Sequence, residues 1–287
     1  VDVTRPEQTD TENLMLPVIY ESSPYYAGTA GMDKGIFWDV QHEIGEAGKP
    51  RKHPEVTRVG ERPIISNSQI RTWVPRGFIV VHSSSPGTGL SDGAPTVGGD
   101  NESLAPKAVI DWLNGRAKGY TERDGNKEVK AYWSTGKVGM TGTSYNGTIP
   151  LAAATTGVEG LEAIIPIAPN TSYYHYYRSN GLVRSPGGYL GEDIDVLYDF
   201  IHSGDESKRA RNNKVVRDTE MKNGLDRITG DYNDFWAKRD YLNDMKPMKA
   251  ALLMSHGFND WNVMPEHSYR IYKKAKEMGL PVRIYYH

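Results

Sequence analysis

Six short apolar runs, each bounded by turn residues, constrain the fold of this chain more than any other feature of its sequence. The runs are LMLPVIY (14–20), GFIVVHS (77–83), GKVGMTG (136–142), LEAIIPIA (161–168), AALLMSH (250–256) and PVRIYYH (281–287). Near-continuous apolar runs of this length are typical of strands that are buried on both faces of a parallel sheet. The runs therefore predict a mostly parallel sheet at the centre of the protein.

Segments with helical character lie between these runs. Residues 102–117 place Val109, Ile110 and Leu113 at helical spacing, and residues 265–279 begin with proline and end with glycine, as helices prefer. Strands that alternate with helices predict the α/β class with a mostly parallel, doubly wound sheet. In such sheets ligands bind beyond the carboxyl ends of the strands.

One long segment interrupts the alternation. Residues 181–247 are polar and helical in character, contain no convincing strand, and lie between two predicted core strands. We expect them to form a helical cap insertion that covers one end of the sheet. The sequence shows no internal repeat and no low-complexity linker, so residues 1–287 are predicted to be a single catalytic domain. Because both ends resemble pieces of strands, we expect the chain to be truncated at both ends.

Composition excludes several classes of function. The chain has 34 Lys and Arg against 36 Asp and Glu, so neither sign of charge dominates, and nucleic acid, which binds clustered positive charge, is not expected as a partner. No apolar run approaches the roughly 20 residues that span a bilayer, so no membrane partner is expected, and no targeting segment decides between a cytoplasmic and a secreted protein. There is no cysteine, and the eight histidines show no metal-ligand spacing, so no metal and no other cofactor is expected.

A single serine occupies surroundings that suit a nucleophile. The stretch GKVGMTGTSYNGTIP (136–150) places Ser144 between Gly142 and Gly147, after an apolar run and before small residues that can begin a helix. A strand, a serine on a tight turn and a helix, with small residues around the serine, make up a nucleophile elbow. Asn146 occupies the position where the usual G-x-S-x-G pattern has its second glycine. A Gly/Thr-rich connection without chemistry is the alternative.

An acid and a base are needed beside such a serine. Asp260 follows the predicted strand at 250–256 and a turn, where it could orient a histidine and stabilise the imidazolium. The alternative is that Asp260 only caps the helix that begins near Pro265. His287 follows the last apolar run and is one candidate for the base. The other hypothesis is that the base lies in residues outside this chain.

Four motifs together resemble a known family. They are SPYY (23–26), AVIDWLNGRAKGYT (108–121), GKVGMTGTSYNGT (136–148) and HGFNDWNV (256–263). In this order they are similar to motifs of the X-prolyl dipeptidyl aminopeptidases, a family of serine peptidases that includes cocaine-esterase-like acylases. The resemblance extends over nearly the whole chain, and it implies an α/β-hydrolase fold with a helical cap.

The resemblance also implies the catalytic residues. The family pattern G-x-S-Y-x-G is matched around Ser144, so that Asn146 fits the pattern, and the acid of the D-W-N-V turn is matched by Asp260. The family's oxyanion site combines the backbone N–H after the serine, here that of Tyr145, with the hydroxyl of a tyrosine in an early P-Y pair, here Tyr25. Donors aimed at a developing oxyanion are each worth roughly 3 kcal/mol in related chemistry.

Substrate recognition is implied in the same way. Family members bind the free α-amine through a carboxylate and an amide, which are matched by Glu192 and Asn262. They hold the proline among aromatic and apolar side chains, matched by Tyr173, Tyr176 and Val263. Tyr173 stands where the family pattern has a tryptophan, which is the one departure from the pattern in this cluster.

The predicted function is that of a serine hydrolase that releases Xaa-Pro dipeptides through an acyl-enzyme. Its partners would be peptides with proline at the second position, and a homodimer is an open alternative to a monomer. Two other hypotheses stand beside it. An esterase or acylase could use the same scaffold, and an α/β-hydrolase fold without a base could be a non-catalytic binding domain.

Overall fold

A computed structural model of the protein describes residues 1–31, 37, 54–64, 66–179 and 181–287. The strands in these ranges are β1 (Asp2–Thr4), β2 (Leu16–Ser23), β3 (Ile79–Ser84), β4 (Gly119–Tyr120), β5 (Glu128–Val129), β6 (Ser134–Thr143), β7 (Leu161–Ile167), β8 (Arg178–Ser179), β9 (Leu182–Val183), β10 (Ala251–His256) and β11 (Val282–Tyr286). Each of the six apolar runs coincides with one of the longer strands.

The α-helices in the same ranges are α1 (Gln8–Thr11), α2 (Ser68–Trp73), α3 (Asp100–Leu113), α4 (Tyr145–Thr155), α5 (Tyr173–Tyr177), α6 (Ile194–Ile201), α7 (Arg209–Asn212), α8 (Lys222–Gly224), α9 (Asp234–Ala237) and α10 (Glu266–Glu277). Short 3-10 helices cover Val74–Arg76, Pro186–Gly188, Glu206–Lys208 and Tyr241–Asp244, and a π-helix covers Asn213–Met221. The two helices predicted at 102–117 and 265–279 are therefore present as α3 and α10.

Seven of the strands form one sheet. Its strand order is β1-β3-β2-β6-β7-β10-β11, and only β1 runs antiparallel to its neighbour among these strands. Every residue of β3 is buried, whereas β11 at the opposite edge alternates between half-buried and exposed residues. The predicted mostly parallel α/β sheet is confirmed.

Helix α4 packs directly against the centre of the sheet. It is buried all round from Gly147 to Thr155, and its small side chains in LAAAT allow close contact with β6, β7 and β2. Helix α3 packs on α4, and α10 covers β10 and β11. The central strand β6 and the helix that follows it are thereby held within the buried core.

The parallel strands deliver the candidate site residues to one edge. Strands β2, β6, β7 and β10 are neighbours in the sheet and point the same way, so the segments that follow them meet at their carboxyl ends. Tyr25 follows β2, Ser144 follows β6, Asn170 and Tyr173 follow β7, and Asp260 follows β10. Residues that are far apart in the sequence are thus placed around one point.

Residues 181–247, predicted to be a helical insertion, contain α6 to α9, the π-helix and three of the short 3-10 helices. They also contain β9, which pairs with β8 in a hairpin of two residue pairs. A ladder this short needs no apolar alternation, so the sequence pattern did not indicate it. No helix in the described ranges combines the length and the apolar character needed to cross a membrane.

Candidate active site

Ser144 lies on a strained turn between β6 and α4. Its φ and ψ angles are 62° and −125°, in the region that residues other than glycine rarely occupy. Its N–H donates to the carbonyl oxygen of Ile167 at the end of β7 (2.9 Å), and its carbonyl accepts from the N–H groups of Gly147 and Thr148 (2.9 and 3.0 Å). A backbone strain of this kind costs on the order of 1–3 kcal/mol and must be held by its surroundings.

The two glycines beside Ser144 allow the backbone to pass closely. A Cβ on Gly142 would lie 2.4 Å from the carbonyl oxygen of Asn146, and a Cβ on Gly147 would lie 2.8 Å from the carbonyl oxygens of Gly142 and Ile167. Both distances are shorter than real Cβ contacts. The small residues in the predicted elbow are therefore required by the turn itself.

Asn146, which replaces the second glycine of the common pattern, has a partner. Its side-chain amide donates to Oε1 of Glu21 on β2 (3.1 Å). Burial raises the pKa of Glu21, while the hydrogen bond from Asn146 acts in the opposite direction. The first turn of α4 is thus tied to the neighbouring strand, and the asparagine has a role in the elbow that a glycine could not fill.

The residues around Ser144 enclose a pocket of about 310 Å³. It is lined by Tyr25, Ser144, Tyr145, Asn170, Tyr173, Tyr176, Tyr189, Glu192, Val196, Leu197, Phe200, Asn262 and Val263. Eight of the ten predicted site residues therefore share one pocket, and the other two, Asp260 and His287, do not line it. The volume is at the lower end of the range for small-ligand sites.

Two tyrosines stand beside the serine. Tyr145 is the first residue of α4, so its backbone N–H is one of the unpaired donors at the start of a helix. The ring of Tyr25 meets the ring of Tyr145 edge to face, with centroids 5.9 Å apart and an interplanar angle of 85°. Burial raises the pKa of both phenols, so both remain protonated donors at neutral pH. An N–H and an O–H donor can therefore serve one oxyanion.

Glu192 adds a carboxylate to the lining of the pocket. The residue is 8% exposed, and its Oε1 accepts a hydrogen bond from the buried hydroxyl of Tyr177 (3.1 Å). Burial is the main cause that raises the pKa of Glu192 to about 7; the hydrogen bond from Tyr177 acts in the opposite direction, and the neighbouring Asp193 acts in the same direction as burial. No lysine or arginine within the described ranges forms an ion pair with this carboxylate. A cationic ligand group would supply the missing counter-charge.

A buried ion network holds the segment that carries Glu192. Arg178 and Asp193 are fully buried and form two hydrogen bonds, Nη1 to Oδ1 at 3.0 Å and Nη2 to Oδ2 at 3.2 Å. Arg227 adds ion pairs to Asp193 (3.0 Å) and Asp195 (2.6 Å). Oδ1 of Asp193 also accepts from the N–H of Ile194 and caps α6. The network therefore fixes both Glu192 and the helix that lines the pocket.

The remaining predicted binding residues line the same pocket as Ser144 and Glu192. The hydroxyl of Tyr176 donates to Oδ1 of Asn262 (3.2 Å). Tyr173 is buried, and its ring lies 6.1 Å from that of Tyr145 at an angle of 62°. Val263 is buried as well. Aromatic and apolar groups with one amide next to a carboxylate can hold a compact apolar ring and an amine.

Asp260 shapes the turn that carries Asn262 and Val263. Its Oδ1 accepts from the N–H groups of both residues (3.1 and 2.9 Å), and its Oδ2 lies 3.4 Å from Nε2 of His256. The alternative that Asp260 caps the next helix does not fit, because α10 begins after Pro265 without a side-chain cap. The carboxylate is half-buried beside the pocket, where a histidine could reach it.

Neither nearby histidine reaches Ser144 in this structure. His256 is fully buried, with Nδ1 2.7 Å from Oγ of Ser268 and Nε2 2.8 Å from the carbonyl oxygen of Val263, so both ring nitrogens are engaged. His287 is exposed and stacks on the ring of Tyr285. Its backbone bonds to His256 and Phe258 place it at the same edge of the sheet.

Sequence reasoning missed several residues that build the site. Glu102, Tyr177 and Asn170 support or line the pocket, as do Tyr189, Val196, Leu197 and Phe200. Glu102 carried a usable signal, because it shares the buried face of α3 with Pro106, Ile110 and Leu113. A carboxylate on the apolar face of a helix indicates a buried polar partner. Within the described ranges no group of three or more histidine, aspartate and glutamate side chains could hold a metal ion.

Comparison with known proteins places the chain among peptidases. All of it, residues 1–287, matches the family described as X-Pro dipeptidyl-peptidase (S15 family). A curated relative from Rhodopirellula baltica is 67% identical over 289 residues, which cover 100% of this chain and 46% of the relative. The Xaa-Pro dipeptidyl-peptidase of Ligilactobacillus salivarius is 38% identical over 316 residues, covering 100% of this chain and 39% of that protein. The chain thus spans less than half the length of these relatives.

Solved structures agree on the fold. A CocE/NonD family hydrolase from Staphylococcus aureus superposes with a TM-score of 0.60 at 17% identity, covering 99% of this chain and 42% of its own. At this identity the likeness concerns the fold alone. Together with the sheet order and the turn at Ser144, it identifies the architecture as the α/β-hydrolase fold.

Proposed function

The chain belongs to the X-Pro dipeptidyl-peptidase family S15, and from that premise we propose that the protein releases Xaa-Pro dipeptides from the amino termini of peptides. The observation that carries the proposal is the shared pocket of Ser144 and Glu192. It combines a nucleophile on a strained turn with a buried carboxylate that has no cationic partner within the described ranges. An α-amine is mostly protonated at neutral pH, so it suits that carboxylate.

In the proposed complex, different parts of the pocket bind different parts of the substrate. The ammonium group of the first residue would lie between Glu192 and the amide of Asn262. The proline ring would pack among Tyr173, Tyr176 and Val263. With both groups in place, the carbonyl carbon after proline would be presented to Ser144, which sets the cleavage position at the second peptide bond.

The proposed reaction is acyl transfer through Ser144. Its Oγ forms a bond to the carbonyl carbon while its proton passes to a histidine that Asp260 orients. The N–H of Tyr145 and the hydroxyl of Tyr25 stabilise the oxyanion. The histidine then passes this proton to the leaving nitrogen, the C–N bond breaks and the shortened peptide leaves as a free amine. Water, deprotonated by the histidine, hydrolyses the acyl-enzyme to free the dipeptide and the serine.

We assign the substrate-facing wall to a cap formed by residues 181–247. Helix α6 contributes Val196, Leu197 and Phe200 to the pocket, and Glu192 lies just before the same helix. In the proposed binding mode these side chains would lie beyond the amine. A substrate chain that continued past the first residue would then meet them, which favours an exopeptidase.

The test is hydrolysis of matched substrates by the full-length protein. We expect Ala-Pro-p-nitroanilide and Gly-Pro-p-nitroanilide to be cleaved, and N-acetyl-Ala-Pro-p-nitroanilide to be cleaved at least about 100-fold more slowly, because acetylation removes the charge that Glu192 would bind. Equal rates for the free and the acetylated substrate would contradict the proposal. Rapid cleavage of p-nitrophenyl esters without cleavage of either anilide would indicate an esterase or acylase instead.

A further inference from the structure

A buried carboxylate lies behind the oxyanion site. Glu102, in the first turn of α3, is 1% exposed. Its Oε1 and Oε2 both accept from the hydroxyl of Tyr145 (2.7 and 2.9 Å), and Oε2 also accepts from the N–H of Gly98 (3.0 Å). The carboxylate does not line the pocket, so it has no direct contact with a ligand there.

Holding a carboxylate at this position is unfavourable for folding on its own. Burial raises the pKa of Glu102, which the hydrogen bonds from Tyr145 and Gly98 only partly offset. Replacing a buried charged group by apolar residues of similar volume is often neutral or stabilising. A function served by the hydrogen bond to Tyr145 would explain why a carboxylate occupies this position.

Tyr145 connects this carboxylate to the reacting groups. The residue follows Ser144 directly, and its ring meets Tyr25 on one side and Tyr173 on another, with centroid distances of 5.9 and 6.1 Å. Anchoring the hydroxyl at the far end of the ring fixes the ring's orientation. The ring in turn restrains the backbone N–H of Tyr145 and the side chain of Tyr25, the two proposed oxyanion donors.

We propose that Glu102 is a positioning residue for the oxyanion site: through its hydrogen bond to Tyr145 it holds both donors where the transition state needs them. This inference rests on the proposed function only in that Ser144 must be a nucleophile. It does not depend on recognition of proline or of the amine. Misplacing donors by a fraction of an ångström lowers the rate without changing ground-state binding.

The experiment measures how fast a fluorophosphonate labels Ser144 in the full-length protein. In this reaction the serine oxygen bonds to phosphorus, fluoride leaves, the proton passes to the base, and the phosphoryl oxygen occupies the oxyanion site. We expect Glu102→Gln and Tyr145→Phe each to slow labelling about tenfold. The double variant should be no slower than the slower single variant, because both changes act on the same hydrogen bond: Tyr145→Phe removes its donor, and Glu102→Gln removes the charge of its acceptor.

A second readout separates positioning from a general loss of structure. Inhibition by the free dipeptide Ala-Pro reports ground-state binding and should stay within about twofold of the parent protein in both variants. Asp111→Asn, on the same helix but bonded to Lys107 and Arg116, is the matched control and should label at the parent rate. Tyr145→Phe removes the same hydrogen bond while leaving Glu102 in place, so it tests the proposal even where Glu102→Gln fails to fold.

The outcomes distinguish the two proposals. A parent protein that labels normally while Tyr145→Phe labels equally fast would overturn the positioning role and leave the proposed function intact. Strictly additive slowing in the double variant would also overturn it, because the two residues would then act independently. A parent protein whose Ser144 is not labelled at all would instead contradict the proposed function.

Discussion

The two walls of the pocket are held in place by different means. The wall around Ser144 depends on backbone geometry: a positive φ at the serine, two glycines that permit close passage, and the hydrogen bond that the N–H of Ser144 donates to the neighbouring strand β7. The wall around Glu192 depends on buried charge, with the Arg178–Asp193 pair at its centre. Apart from the contacts with Ile167, the residues that shape the first wall lie within 142–148, whereas the second joins residues 15 to 34 positions apart.

The comparison shows how each wall would fail. The backbone around Ser144 leaves almost no space for an added atom, so a single methyl group there should slow acyl transfer to the serine. A buried ion pair can often be replaced as a whole by apolar residues of similar volume. The loss of one partner alone is destabilising, because the remaining charge is then buried with less compensation. One set of mutations should therefore impair catalysis at Ser144, and another should impair substrate recognition at Glu192. The expected effects follow from the largest to the smallest.

Ser144→Ala should abolish turnover without weakening ground-state binding. Removing a serine nucleophile lowers kcat by about 10⁴ to 10⁶ in related enzymes, because no acyl-enzyme can form. Steady-state kinetics on Ala-Pro-p-nitroanilide measure the loss, and inhibition constants for Ala-Pro measure the binding. A variant that keeps a tenth of the parent activity would rule out Ser144 as the nucleophile.

Gly142→Ala should damage the first wall through the backbone alone. The added Cβ would lie 2.4 Å from the carbonyl oxygen of Asn146, so the turn must move. We expect a loss of stability of about 3 kcal/mol in chemical denaturation and at least a hundredfold loss of kcat. Gly60→Ala is the matched control, because a Cβ there would meet nothing within 4 Å. Parent-like kcat in Gly142→Ala would show that the elbow is not rigid.

Arg178→Met should damage the second wall. Asp193 would be left buried with Arg227 as its remaining ion-pair partner, and the loss of one member of a buried pair costs about 3–5 kcal/mol. We expect lower stability and a raised KM for Ala-Pro-p-nitroanilide, with a fluorophosphonate labelling rate close to that of the parent. Arg123→Met, which breaks an exposed ion pair with Asp92, should change stability by less than about 1 kcal/mol. Slowed labelling in Arg178→Met would show that the two walls are coupled.

Glu192→Gln should lower activity on the peptide substrate and raise the free energy of unfolding. The gain in the free energy of unfolding should depend on pH. The folded protein raises the pKa of Glu192 from 4.5 to about 7, so its ionised form is disfavoured by folding. The contribution of the Glu192 side chain to the free energy of unfolding is fully present below pH 4.5 and is lost as the pH rises through about 7. The variant should match the parent in stability near pH 4.5 and exceed it by up to about 3 kcal/mol at pH 8.

Kinetics complete that test. At pH 8, Glu192→Gln should lower kcat/KM for Ala-Pro-p-nitroanilide by about 30- to 100-fold while fluorophosphonate labelling is unchanged. Glu206→Gln, at an exposed position in the same segment, should alter neither quantity. An unchanged kcat/KM in Glu192→Gln would remove the amine from the proposed recognition, and the esterase alternative would then gain support.

How much of each wall could be predicted from the sequence depends on whether backbone geometry or buried charge holds that wall in place. The strands and the turn at Ser144 leave local marks, namely apolar runs and small residues at fixed spacing, so they could be predicted directly. Glu192 and Asn262 leave no such mark and were reached only through the family resemblance. The partnership of Arg178 with Asp193, and that of Glu102 with Tyr145, depend on which side chains meet after folding, and a single sequence does not encode that in any local pattern.

The positive φ of Ser144 also has an evolutionary consequence. Only glycine adopts that conformation without strain, so the catalytic side chain is carried at the expense of stability, by about 1–3 kcal/mol. A gene copy released from selection for catalysis would gain stability through a serine-to-glycine change, which some serine codons reach by a single base substitution. We therefore expect Ser144→Gly to melt at a higher temperature than the parent protein, and duplicated copies that have lost catalysis to drift toward glycine at this position.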